Sequence, residues 1–121
     1  KRGDRYTEGG YVEKLDFESF KQDQKPLTGK INPDQVIAFE DLIHQIKKQG
    51  IEIVFVETPV TQQYYAAYNR IEYDSITTDL DLVNMNALYT WPDSLFYDSQ
   101  HLTPQGVKLM NERLIDFLKN R

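Results

Sequence analysis

Asp98 and His101 stand three residues apart in the stretch YDSQHLTPQGVKL, residues 97–109. A carboxylate beside an imidazole can fix the ring's tautomer and stabilise the imidazolium as the ring takes up a proton. Histidine, with an ordinary pKa of about 6.5, is the natural general base near neutral pH. The chain has two histidines, and this one lies directly ahead of a helix start, with Thr103 as N-cap and Pro104 at the first helical position. The same D-x-x-H spacing also serves as a plain hydrogen bond in a solvated loop, so placement has to decide between the two readings.

The elements around the pair supply that placement. Asn32 is a candidate N-cap followed by Pro33 and acidic Asp34, and Val36, Phe39, Ile43 and Ile46 recur at helical spacing, with Ile37 and Leu42 widening the stripe. Gly50 offers the left-handed residue that ends many helices. IEIVFVETPV, residues 51–60, is β-branched and apolar at its centre and reads as a strand buried on both faces of a parallel sheet. Residues 61–76 read as a helix, 80–86 as a second strand, 87–103 as a loop, and Pro104 to about Lys119 as a last helix. Val107, Met110, Leu114, Phe117 and Leu118 line one face of that last helix.

The order helix–strand–helix–strand–helix defines an α/β chain with a parallel sheet flanked by helices. In open α/β sheets ligands sit in the loops at the carboxyl ends of the strands. The 87–103 loop is such a place, and it carries Asp98 and His101.

Two strands do not make a free-standing, doubly covered sheet. Residues 1–33 are polar and punctuated by glycine and proline, and Tyr11, Leu15, Phe17 and Phe20 are apolar points without a clear period. We expect 1–33 to be an irregular arm or insertion and 34–121 to be the C-terminal α/β part of a larger domain. A self-sufficient domain completed by strands from 1–33 is the alternative.

Bulk composition narrows the function. With 121 residues the chain is at most one domain, and 14 Lys and Arg against 19 Asp and Glu leave a net charge of −5. A nucleic-acid surface needs clustered cations, and here the densest spots, Lys47-Lys48 and Lys119–Arg121, lie at helix C-termini where they offset the helix dipole. There is no cysteine, which excludes disulfides, thiolate metal sites and cysteine nucleophiles. No His, Asp or Glu cluster has ligand spacing, so no metal is expected. The apolar run Ile53–Val56 falls far short of the roughly 20 residues of a membrane span. KRGDRYTEGG has neither an initiator methionine nor the apolar centre of a secretory signal, and we read it as a processed or excised end.

FYDSQHLTPQGVKLMNERLIDFL, residues 96–118, resembles the last conserved block of the SGNH, or GDSL-type, hydrolases. In that block an Asp-x-x-His pair precedes a Leu, a small or polar residue, a Pro or an equivalent, and the Gly that opens the C-terminal helix. The resemblance extends loosely over 34–95 and is nearest to the cell-envelope branch, which hydrolyses or transfers acyl groups. It implies a flavodoxin-like fold, His101 as general base, Asp98 as its orienting partner, and no cofactor. It also implies acylated carbohydrate or envelope polymer as substrate and a location outside the cytoplasm.

The departure from the family lies in the nucleophile. The family's serine belongs to a Gly-Asp-Ser block on the first strand, and its oxyanion-hole Gly and Asn to two further blocks; none is recognisable here. Gly3-Asp4 is followed by Arg5, and the serines are Ser19, Ser75, Ser94 and Ser99. Ser99 lies inside the motif, too close along the backbone to meet His101 squarely, and Ser94 matches nothing. The expectation is a C-terminal part of an acyl hydrolase or acyltransferase that carries the base and lacks the nucleophile. The rival is a binding or scaffolding module with the same fold and no catalysis.

Other residues carry weaker signals. Glu57 and Thr58 either line the pocket or mark a strand emerging into water, the latter favoured. Tyr64, Tyr65, Tyr68 and Tyr73 either form an aromatic wall for substrate or, as we expect, pack half-buried with wet hydroxyls. His44 reads as a boundary residue of its helix, and Trp91-Pro92 as either a pocket wall or a turn.

Overall fold

The computed structural model describes residues 4–10, 12–13, 25–27 and 29–121. Tyr11, Leu15, Phe17, Ser19 and Phe20 lie outside the described residues. Arg5–Tyr6 (β1) pairs antiparallel with Val12–Glu13 (β2), and Gly9 and Gly10 take φ of 93° and 86° in the turn between them. Then follow α1 (Pro33–Lys48), β3 (Phe55–Glu57), α2 (Gln62–Ala67), α3 (Arg70–Thr77), β4 (Leu82–Asn84), α4 (Met85–Leu88), a 3-10 turn at Asp93–Leu95, and α5 (Pro104–Lys119).

β3 and β4 pair in parallel, with Phe55 opposite Leu82, Val56 opposite Val83 and Glu57 opposite Asn84. The chain is therefore α/β with a small parallel sheet, and α2 and α3 form the connection between its strands. The hairpin β1–β2 is a separate sheet, so the described part of the N-terminal arm adds no strand to β3–β4.

The helices that bracket the sheet start where local chemistry dictates. Asn32 accepts a hydrogen bond from the Asp34 N–H at 2.9 Å, and Thr103 accepts one from the Gly106 N–H at 3.1 Å. Each cap satisfies an otherwise orphaned amide of the first turn. Gly50, at φ 75°, follows the end of α1 in the left-handed conformation expected of it.

Three expected elements differ in extent. The strand foreseen over 51–60 is only Phe55–Glu57, half-buried, with Ile51 and Val54 exposed. A strand becomes buried on both faces only when neighbouring strands and covering helices exist, and among the described residues β3 has one strand neighbour. The strand foreseen over 80–86 is likewise only Leu82–Asn84, because the Asn84 side chain accepts from the Asn86 and Ala87 N–H groups and caps α4.

The single helix foreseen over 61–76 is two. Tyr68 is extended, and Asn69 restarts the helix by accepting from the Glu72 N–H at 3.4 Å while its own amide reaches the Glu72 carboxylate. The Asn69 side chain thus both caps the helix and, through its Nδ2, donates to the Glu72 carboxylate.

The core lies between β4 and α5. Val83, Met85, Trp91, Leu95 and Phe96 are buried, and Leu109, Met110, Leu114 and Phe117 of α5 pack against them. Leu118, foreseen on this face, is exposed, and Leu109 takes its place. On α1 only Ile43 is buried; Ile37, Phe39 and Leu42 are exposed, a narrower stripe than the sequence pattern allowed. No helix among the described residues is long and apolar enough to cross a membrane.

Candidate active site

The Asp98–His101 segment is a tight turn closed by paired backbone. Phe96 and Leu102 form an antiparallel bridge, the Tyr97 N–H donates to the His101 carbonyl at 3.0 Å, and the Thr103 N–H donates to the Leu95 carbonyl at 2.8 Å. These bonds bring the chain back on itself just before α5. The seam is close enough that a Cβ on Gly106 would stand 2.5 Å from the Leu95 carbonyl oxygen. The glycine of the motif is thus a packing requirement, which allows α5 to start directly against the turn.

Inside the turn the Asp98 carboxylate is heavily used. Oδ1 accepts from the backbone N–H groups of Gln100 and His101, both at 2.8 Å. His101 Nδ1 lies 2.9 Å from Oδ1 and 2.8 Å from Oδ2. Burial raises the Asp98 pKa, but the Gln100 N–H, the His101 ring and the His101 N–H outweigh it and hold the carboxyl below its ordinary value. An ionised carboxylate only accepts, so Nδ1 carries the proton and Nε2 the lone pair. Nε2 is at the far edge of the ring from Asp98, and the histidine side chain is 61% exposed. Tyr97 stacks on the imidazole, with ring centroids 5.5 Å apart and planes 9° from parallel. The ring is thereby held by the carboxylate at one edge and by an aromatic face.

The turn is also anchored to the carboxyl end of β3. Thr61, fully buried, donates both its backbone N–H (3.0 Å) and its hydroxyl (3.3 Å) to the Ser99 carbonyl. Asn86, just after β4, links the same region: its Oδ1 accepts from the Val60 N–H and its Nδ2 donates to the Thr58 carbonyl. The strand ends and the motif turn are therefore one hydrogen-bonded unit, as the sheet-edge argument requires.

A groove of about 210 Å³ opens beside this unit, lined by His101 together with Thr58, Pro59, Leu102, Val107 and Met110 among others. Val12 of the N-terminal hairpin also reaches it. Sequence spacing carried no signal for Thr61, Asn86 or Val12, because each acts across a long stretch of chain.

The other candidates resolve as follows. Thr58 lines the groove, whereas Glu57 turns to Arg70, 2.7 Å away, with both side chains mostly buried. Arg70 in turn stacks over Tyr65 and Tyr73, and Tyr64 meets Tyr68 edge to face at 5.0 Å. Tyr65 and Tyr73 thus pack on this ion pair, and none of the four tyrosines lines the His101 groove. Burial raises the Tyr68 and Tyr73 hydroxyl pKa values, reinforced at Tyr68 by the hydrogen bond with Tyr64 and at both by Glu57.

Trp91 is a core residue that donates Nε1–H to the Met85 carbonyl at 2.8 Å. It stabilises the loop from within and does not line the groove. His44 is exposed on α1. Ser94 is exposed in the 3-10 turn, and Ser75 donates to the Glu72 carbonyl on α3. Among the described residues no serine hydroxyl is hydrogen-bonded to the imidazole, and no three His, Asp or Glu side chains converge as metal ligands.

No known protein family matches the chain, and neither a characterised protein nor a solved structure matches it.

Proposed function

We propose that Asp98 and His101 are the orienting carboxylate and general base of a serine-type acyl-ester centre of the SGNH kind. The observation that carries this reading is the pairing of Nδ1 with both oxygens of Asp98 on an exposed ring that lines a groove. In this reading a serine from outside these 121 residues attacks an ester carbonyl. His101 Nε2 takes the serine proton, Asp98 stabilises the imidazolium, and the ring passes that proton to the departing alcohol oxygen as the acyl-enzyme forms. The ring then activates water for hydrolysis or an acceptor hydroxyl for transfer.

The domain is a flavodoxin-like SGNH fold, of which residues 34–121 are the C-terminal part. Its substrate is an acylated carbohydrate or cell-envelope polymer, met outside the cytoplasm, and no cofactor takes part. The small parallel sheet, the strand-end position of the turn, and the Gly106 contact with Leu95 support this reading.

Fluorophosphonate labelling with peptide mapping tests it, on this chain and on the longest product of the same gene. The expected result is label on a serine preceding Lys1, lost in His101→Ala. Label on Ser94 or Ser99 would place the whole triad within this chain and overturn the external nucleophile. No label on either protein, beside a reactive control, would favour a non-catalytic binding module.

A further inference from the structure

The turn that carries Asp98 and His101 brings two rings together by its backbone. Phe96 and Leu102 are bridge partners, and the residues just inside them, Tyr97 and His101, face one another, with the Tyr97 N–H on the His101 carbonyl. Phe96 goes into the core, 3% exposed, whereas Tyr97 stays half-buried beside the exposed His101. Side chains directly opposite across paired backbone stand within reach of each other. Here the rings meet with centroids 5.5 Å apart and planes 9° from parallel. The stack therefore follows from the closure of the turn.

Edge and face of the imidazole are held by different groups. Asp98 pairs with Nδ1 at the ring edge, and Tyr97 covers the face. An aromatic face is the negative side of the ring quadrupole and attracts a cation within about 6 Å of the centroid. An imidazolium is a flat cation. The stack is therefore stronger once His101 has taken up a proton than before, and the attraction belongs to the tyrosine ring and not to its hydroxyl.

We propose that Tyr97 is a positioning residue whose aromatic face favours the protonated form of His101. The inference rests on the reading of His101 as the base, and it adds a second support for the imidazolium that the base becomes. Asp98 is the charged group paired with the ring. The end of β3, α5 and the N-terminal hairpin bring Thr58, Pro59, Pro104, Val107, Met110 and Val12 to the same groove, and none of these titrates. Substitutions at position 97 leave all of them in place, so a change in the protonation of His101 reports on the stacked ring.

NMR of the isotope-labelled 121-residue chain tests this, with His44, exposed on α1, as the internal reference. The quantity read is the ratio of imidazolium to neutral imidazole at one pH near neutrality, from the averaged ring resonances. Tyr97→Leu should lower that ratio at His101 roughly two- to fivefold, as expected for one exposed cation–π contact, and leave it unchanged at His44. Tyr97→Phe should keep the wild-type ratio, and Tyr97→Trp should keep or raise it. In the wild-type chain, nuclear Overhauser contacts between the two rings should persist when the imidazole is protonated and Asp98 is still ionised.

An unchanged or raised ratio in folded Tyr97→Leu would overturn the proposal. So would a loss of similar size in Tyr97→Phe or Tyr97→Trp, or separation of the two rings on protonation. If Tyr97→Leu does not fold, the two aromatic variants and the wild-type ring contacts decide. None of these readings needs a nucleophile, so their failure leaves the labelling result standing, and failure of the labelling leaves them standing.

Discussion

Thr61 and Ser99, 38 residues apart in the chain, are joined by two hydrogen bonds, since the backbone N–H and the hydroxyl of Thr61 both donate to the Ser99 carbonyl. Ser99 lies between Asp98 and His101, so this contact ties the carboxylate–histidine turn to the end of β3. The same hydroxyl accepts from the Tyr64 N–H at 3.4 Å and caps α2. One buried side chain thus begins a helix and positions a candidate catalytic turn.

Replacing Thr61 with Val keeps the shape and the backbone bond while removing the hydroxyl. Loss of the cap and of the buried hydrogen bond should cost about 1–2 kcal/mol. Denaturant unfolding should show a lower midpoint with an unchanged slope, and the His101 ring resonances should broaden or shift. An unchanged midpoint would mean that the hydroxyl contributes nothing at this anchor.

Gly106→Ala sets two effects against each other. Alanine favours the helix by about 1 kcal/mol over glycine. The new Cβ, however, would stand 2.5 Å from the Leu95 carbonyl oxygen and 2.9 Å from Leu102 Cδ2. The carbonyl already accepts the Thr103 N–H and has little room to yield, so the clash should approach the upper end of the usual overpacking cost of about 1–3 kcal/mol. The clash wins, and a net loss of roughly 1–2 kcal/mol is expected from the balance of the two. A stability equal to or above wild type would contradict the close seam between α5 and the turn.

How much of this was legible in the sequence depended on range. The starts of α1 and α5 were readable because Asn32-Pro33 and Thr103-Pro104 act within one turn. The break at Tyr68–Asn69 was readable too, through Asn69 as an N-cap residue, but the tyrosine-rich helical pattern masked it. The burial of 51–60 was not readable, because a strand's exposure depends on neighbours that its own residues do not specify. The Asp98–His101 pair was visible as a spacing, whereas its Thr61 anchor, its Tyr97 stack and the groove over Met110 arise from contacts made only in the folded chain.

The Asp98 carboxyl makes a pH prediction with a definite sign. Its pKa in the fold lies below the ordinary value of 3.8, so its stabilising contribution is present above that value and is lost as pH falls through the lower, folded one. Asp98→Asn keeps an oxygen for the Gln100 and His101 N–H groups but removes the charge. The melting-temperature gap between wild type and Asp98→Asn should be present at about pH 5 and should close as the pH falls below about pH 4. A gap that keeps widening below about pH 4 would contradict the hydrogen-bonded, ionised carboxylate.

The most direct test of the account is the protonation pattern of the His101 ring, read from its two ring-nitrogen resonances by NMR at a pH where the imidazole is neutral. Asp98 facing Nδ1 predicts one dominant tautomer, with the proton on Nδ1 and a bare Nε2 able to accept a proton. Asp98→Asn should weaken that preference towards a mixture. A proton resident on Nε2 in the wild-type chain, or an even mixture of tautomers, would contradict His101 as a base oriented by Asp98.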